Sequence, residues 1–203
     1  MRTITRKASD RIARYAFKLA DQRNRSRKVV AVHKSNVLKK SDGLFAQVCR
    51  EVSLQHPSVS FSEMLVDSAA MNLIRDPESF DVILTTNMYG DILSDEAAQL
   101  VGGLGVAPSA NIGERFAIFE PVHGAAPDIA GKGMSNPLAM ILTTCMMLEW
   151  LSATRADSSC SDAASAIRLA VNRTLDMGLM TPDIGGRNTT SEVGAAVARL
   201  LVS

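Results

Sequence analysis

The sequence predicts an α/β fold on three observations. Short, almost wholly apolar runs at 29–33 and 82–85 have the length and β-branched content of strands buried on both faces. Longer segments with apolar residues at helical spacing alternate with those runs, the order expected around a mostly parallel sheet. Clusters of Gly, Pro and Asn punctuate the chain between them.

Thr5 is placed to cap a helix running to about Gln22. Ile12, Ala16, Phe17 and Ala20 fall on one side of it, with Arg and Lys on the other. The same stretch is basic and poor in acids, as transit peptides are, and the alternative is a surface helix. A basic turn at 23–28 leads into the strand at 29–33. Residues 42–52 have a helical pattern, Pro57 breaks the chain, and 59–66 read as a second strand. A short helix at 69–75 is ended by Asp76-Pro77. The strand at 82–85 follows, then a helix at 91–101 stopped by Gly102, Gly103 and Gly105.

The stretch 102–113 is rich in Gly, Pro and Asn and is the expected boundary between two lobes, 1–101 and 102–203. Residues 116–119 read as a strand and 120–133 as a long irregular loop, a kind that is usually functional or disordered. Helices at 136–151, 158–177 and 191–201 complete the chain. The apolar run 137–151 is short for a membrane span and carries Glu149, so it reads as a buried helix with Met as adaptable filler.

The 203 residues carry 22 Lys+Arg against 21 Asp+Glu. No bulk electrostatic pull toward nucleic acid or an anionic membrane is expected from that balance. The three cysteines, Cys49, Cys145 and Cys160, are odd in number and form no C-x-x-C pair. They point to a reducing compartment rather than to a disulfide framework or a structural zinc site. There is no P-loop, no H-E-x-x-H, no nucleophile elbow, and no G-x-G-x-x-G after a strand.

Asp91 and Asp95 form the most informative pair. They share one face of a predicted helix, where like charges cost roughly a few tenths of a kcal/mol. A divalent cation reverses that cost, because Mg²⁺ and Mn²⁺ prefer carboxylate oxygens. A solvated acidic face is the commoner meaning of the spacing. Asp67 lies just beyond a strand end, as a third carboxylate or as the cap of the next helix. Lys34 follows the apolar strand, and alternation puts Asn36 on the same side. A lysine held near cations or partly desolvated can act as a general base, though most lysines at strand ends are solvated. In the loop 120–133, small residues let backbone approach a ligand closely, and His123 and Asp128 are its polar handles. It could equally be a wide turn with His123 satisfied by backbone.

Longer stretches carry more than these single features. Asn87-Met-Tyr-Gly-Asp-Ile-Leu-Ser-Asp95 followed by Gly102-Gly-Leu-Gly resembles the signature of the isocitrate/isopropylmalate dehydrogenase family. Glu120-Pro-Val-His-Gly-Ala-Ala-Pro-Asp-Ile-Ala-Gly-Lys-Gly-Met-Ser-Asn-Pro137 is similar to that family's cofactor loop. Val32-His-Lys-Ser-Asn-Val-Leu resembles its catalytic-lysine segment, and Val66-Asp-Ser-Ala-Ala-Met its second-strand aspartate. Thr181-Pro-Asp-Ile-Gly-Gly and Thr189-Thr-Ser-Glu also fit. The matches run in family order over nearly the whole chain, with Ser35, Met88, Ala125 and Met134 as mild departures.

The resemblance implies an isopropylmalate dehydrogenase-like fold in two lobes with a non-Rossmann NAD-binding loop. It implies NAD-dependent oxidative decarboxylation of a 2-hydroxy dicarboxylate, with 3-isopropylmalate first and isocitrate, homoisocitrate and tartrate as alternatives. Lys34 would take the proton of the C2 hydroxyl, and Asn36 would help orient substrate and nicotinamide. Asp91 and Asp95 would hold Mg²⁺ or Mn²⁺ together with Asp67 of the opposite subunit. His123, Gly124, Ala125, Ala126, Asp128, Ile129 and Asn136 would bind the cofactor. Asn136 would meet the adenine, and the Asp128 carboxylate would select NAD over NADP by repelling a 2′-phosphate. A homodimer or higher homo-oligomer is implied, paired through the helices at 69–75 and 91–101. The location implied is cytoplasmic, or the mitochondrial matrix in a eukaryote.

The family's N-terminal region carries central strands of the cofactor domain, arginines for the substrate carboxylates and the tyrosine that protonates the enolate. No segment here matches it, and Arg2, Arg6 and the basic residues at 23–27 do not replace it. The fold is therefore expected to be incomplete and the chain alone inactive. The chain would be part of a longer enzyme, a non-catalytic paralogue lending Lys34, Asn36 and Asp67 to a full-length subunit in a hetero-oligomer, or a gene remnant.

Overall fold

The computed structural model describes residues 3–202, so Arg2 lies outside the described residues. The chain divides into two units, one ending at Ala97 and the other beginning at Ala98.

The first unit opens with α1 (Arg6–Arg23), whose N-cap Thr5 accepts the main-chain N–H of Ala8 at 3.2 Å. Its buried face is Ala13, Ala16, Phe17 and Ala20, while Ile12 turns outward at 43% exposure. Ala13, one residue on, faces inward instead. β1 (Lys28–His33), α2 (Ser41–Ser53), β2 (Ser60–Leu65), α3 (Val66–Arg75), β3 (Val82–Thr85) and α4 (Asn87–Leu100) follow.

The three strands form one parallel sheet in the order β2-β1-β3. β1 is buried on both faces, as the apolar run Val29–Val32 requires. Val29 and Ala31 pack with Phe17, Phe45, Val48 and Val52 on one side. Val30 and Val32 pack with Ala69, Leu73 and Leu93 on the other. The sheet is thus covered by α1 and α2 on one face and by α3 and α4 on the other. Thr85 adds a side-chain bond across the sheet, its hydroxyl donating to the Val32 carbonyl at 2.7 Å.

α3 and α4 both begin earlier than the sequence pattern suggests, at Val66 and Asn87. Strand β2 passes straight into α3 with Leu65 as N-cap and no side-chain cap. Asp67 therefore lies in the first turn of α3 and does not cap it.

The second unit contains an antiparallel hairpin, β4 (Pro108–Ile112) and β5 (Ala117–Pro121), in register from Pro108↔Pro121 to Ile112↔Ala117. β4 falls inside the stretch expected to be a boundary. Its Pro-Ser-Ala-Asn-Ile sequence has no clear apolar alternation. α5 (Leu138–Arg155), α6 (Ser158–Asp176) and α7 (Thr190–Leu201) complete the unit. Leu138, Ala170, Val171, Val193 and Val197 form their shared core. Phe119 of β5 meets Trp150 of α5 with ring centroids 5.9 Å apart, which seats the hairpin on that helix. Among the described residues no helix is long and apolar enough to cross a membrane.

Candidate functional site

In a parallel sheet the strands' carboxyl ends share one edge, and ligands of open α/β sheets bind there. β1, β2 and β3 end at His33, Leu65 and Thr85, so Lys34, Asp67 and the start of α4 all lie at that edge. Lys34 Nζ donates to Asp67 Oδ1 at 2.5 Å, with the two side chains 27% and 59% exposed. That hydrogen bond, and the lysine's charge, hold the Asp67 carboxyl below the usual carboxylate range. A cation and an anion thus meet at an open edge of the sheet, where solvent screens their attraction.

The alternation proposed to align Asn36 with Lys34 does not continue, since β1 stops at His33 and residues 35–37 turn. Asn36 stands exposed in that turn. Behind Lys34 lie four residues that the pattern of the sequence did not single out. Asp42, fully buried, accepts the Lys34 main-chain N–H at 2.8 Å. His33, also buried, is 3.0 Å through Nε2 from Glu63. Arg50 Nε and Nη2 donate to the two Glu63 oxygens at 2.5 and 2.9 Å. Burial opposes the Glu63 charge, but the bonds from Arg50 and His33 prevail and lower its pKa. A polar His closing the apolar run of β1 is the sequence signal for this cluster.

Asp91 and Asp95 are exposed on α4, and among the described residues no ion pair engages either. At 100° per residue both lie to one side of an outward stripe of Met88 and Ile92, which are 53% and 60% exposed. On α3, Met71 and Ile74 are likewise outward at 66% and 69%. Among the described residues no group of three His, Cys, Asp or Glu side chains converges to hold a metal. Asp67, Asp91 and Asp95 therefore do not meet within one chain.

In the second unit the segment after β5 carries the remaining candidates. Gly124, Ala125, Ala126 and Asp128 are exposed, His123 and Ile129 are half-buried, and Asn136 is buried. Ala126 takes a left-handed conformation, φ 43°, and leads into a single 3₁₀ turn at Pro127–Ile129. His123 Nδ1 donates to the Gly124 carbonyl at 3.0 Å.

The far end of the segment is firmly held. Asn136 Nδ2 donates to Asp183 Oδ2 at 3.0 Å, and Asn136 Oδ1 accepts the N–H of Leu138 at 3.0 Å. Thr181 donates to the other Asp183 oxygen at 2.6 Å. The Thr190 hydroxyl donates to the Ser135 carbonyl at 2.6 Å and its N–H to the Gly133 carbonyl at 2.8 Å. The Asn136–Asp183 pair lies against Gly105, where an added Cβ would stand 2.4 Å from Asp183 Oδ2 and 2.9 Å from Asn136 Cβ. The last glycine of Gly102-Gly-Leu-Gly is therefore set by packing on this pair.

Residues 1–197 match the family model described as isocitrate/isopropylmalate dehydrogenase. A 3-isopropylmalate dehydrogenase of Archaeoglobus fulgidus is 56% identical over 201 residues, which are 99% of this chain and 59% of that protein. A homoisocitrate dehydrogenase of Methanocaldococcus jannaschii is 52% identical over 193 residues, 95% of this chain and 53% of that one. Among solved structures, an isocitrate dehydrogenase from Methylococcus capsulatus superposes with TM-score 0.92 at 43% identity, covering 100% of this chain and 58% of that one. The chain thus spans somewhat over half the length of the proteins it matches.

Proposed function

Because this chain belongs to the isocitrate/isopropylmalate dehydrogenase family, we propose that it serves the NAD-dependent oxidative decarboxylation of a 2-hydroxy dicarboxylate, 3-isopropylmalate first among the alternatives. The observation that carries the proposal is the Lys34–Asp67 pair at the carboxyl edge of the parallel sheet.

As the neutral amine, its own proton having gone to solvent, Lys34 Nζ accepts the proton of the substrate's C2 hydroxyl as the alkoxide forms, and Asn36, exposed two residues on, contacts the substrate. Asp91, Asp95 and a neighbouring subunit's Asp67 hold Mg²⁺ or Mn²⁺. Two exposed carboxylates a helical turn apart, Asp91 and Asp95, suit a hard cation, since among the described residues no ion pair engages either, while Asp67 is paired with Lys34. When bound, the metal supplies Lewis-acid stabilisation of charge on the substrate oxygens, and the nicotinamide supplies a hydride acceptor. Asp128 accepts from ribose hydroxyls and disfavours a 2′-phosphate. Gly124 is exposed, with open space where a side chain would stand, so main chain there can approach the cofactor closely. Asn136 has its side-chain amide committed to Asp183 and Leu138, which leaves its main chain for an adenine edge.

The outward apolar residues of α3 and α4 pair with a second subunit, and Lys34, Asn36 and Asp67 then complete the neighbour's site.

The test is reduction of NAD by the active assembly with Mg²⁺ and each of the four acids. Lys34→Ala is expected to lower kcat by roughly 10²–10⁴, the usual scale for losing a general base. Asp91→Asn should raise the Mg²⁺ requirement. Full turnover in Lys34→Ala would refute the assignment.

A further inference from the structure

Asp42 is a fully buried carboxylate that the chemistry above does not use. It stands in the first turn of α2, with its Oδ1 accepting the Ser41 hydroxyl at 3.2 Å. A buried carboxylate persists only where hydrogen bonds replace its lost hydration. One of those bonds goes to the residue where the sheet ceases to guide the chain. Pairing of β1 with β3 ends at Val32↔Thr85, and pairing with β2 ends at His33↔Leu65. Beyond that point no ladder sets the main chain of Lys34.

Asp42 takes over. Its Oδ2 accepts the Lys34 N–H at 2.8 Å. The Lys34 carbonyl is held from the other side by the N–H groups of Val37 and Leu38, at 3.0 and 2.8 Å. The turn closes when the Asp42 N–H donates to the Leu38 carbonyl at 3.0 Å. Both polar groups of the Lys34 backbone are thus fixed by a turn that ends on Asp42. The preceding His33 is held by Glu63, with its Nδ1 accepting the Ser35 N–H at 3.4 Å.

We infer that Asp42 is a positioning residue for Lys34: its carboxylate fixes the Lys34 main chain so that the ammonium leaves the sheet edge toward Asp67. The inference deepens the assignment of Lys34 as proton acceptor and rests on it.

The experiment reads acylation of Lys34 Nζ by peptide mass spectrometry in the natural assembly, with Lys28, bonded to the Ser79 carbonyl at 2.9 Å, as internal control. Asp42→Ala removes the acceptor and should raise Lys34 acylation about threefold, the scale of losing an exposed ion pair, with Lys28 unchanged. In turnover, Asp42→Ala should lower kcat about tenfold or more while KM for the acid moves far less, since small misplacements of a reacting group are costly. Asp42→Asn keeps an acceptor oxygen and should restore both readouts to within about twofold. If Asp42→Ala does not fold, Asp42→Ser, whose oxygen is too short to reach, carries the same expectation.

Unchanged acylation in the Ala or Ser variant overturns the inference. So does a joint rise at Lys34 and Lys28, which means general loosening, or a loss of Tm with kcat intact. Equal damage in Asp42→Asn and Asp42→Ala overturns it as well. Lys34→Ala with surviving turnover refutes the proton-acceptor role separately, and the acylation readout still judges Asp42.

Discussion

Burial disfavours a charge on Glu63, yet hydrogen bonds from Arg50 and His33 outweigh it and depress its pKa. A carboxylate with a depressed folded pKa stabilises the fold above its unfolded value, and that stabilisation disappears as pH falls through the folded one. Glu63→Gln cannot carry this component. The Tm difference between wild type and Glu63→Gln is therefore expected to be largest near neutrality and to shrink as pH drops below about 4. Thermal melts at a series of pH values check it, and a difference independent of pH would mean that packing, not charge, holds Glu63. Asp67 obeys the same sign, lowered first by the Lys34 hydrogen bond, but it is exposed. Solvent screening makes that pair a matter of geometry rather than of stability.

Among the helices, α7 has the most complete start. Thr189 Oγ1 accepts the Glu192 N–H at 3.3 Å, and Glu192 Oε2 accepts the Thr189 N–H at 2.8 Å, a reciprocal capping box. The helix then delivers Val193 and Val197 to the core of the second unit, and Thr190 to the segment ending at Asn136. Thr189→Ala is expected to cost about 1 kcal/mol, seen as a fall of roughly 2–4 °C in Tm by circular dichroism. The body of this helix was legible at 191–201, while Thr-Thr-Ser-Glu, marked there only by resemblance, writes the box into adjacent letters. β1 and β3 were legible because strands buried on both faces must be apolar throughout. The starts of α3 and α4 were not. Leu65 caps α3 without a side-chain bond, so no residue there announces a helix. β4 was hidden because its partner β5, not its own composition, makes it a strand. At the site, resemblance marked Lys34, Asp67, Asp91 and Asp95. Asp42 and Asp183 escaped as individual residues because their roles lie in bonds to Lys34 and Asn136, distant in sequence.

For the whole molecule, the decisive surface is the outward side of α3 and α4. Met71, Ile74, Met88 and Ile92 are all more than half exposed there, alongside the exposed carboxylates Asp91 and Asp95. Covering an aliphatic side chain yields about 1.5–3 kcal/mol, and a two-fold interface counts each residue twice. If this side pairs two subunits, a charge placed in it is felt twice and has no partner. Ile74→Glu lies on α3, away from the carboxylate pair on α4, so it tests pairing without touching the proposed metal ligands. The wild-type assembly is expected to be dimeric or larger by light scattering, and Ile74→Glu to shift it toward single subunits while leaving the far-ultraviolet circular dichroism unchanged. Turnover should fall with it, since Lys34 and Asp67 are proposed to act in the neighbour's site. A dissociated variant that keeps full turnover would mean that these residues work within their own subunit. An Ile74→Glu protein that stays assembled would remove α3 from the interface.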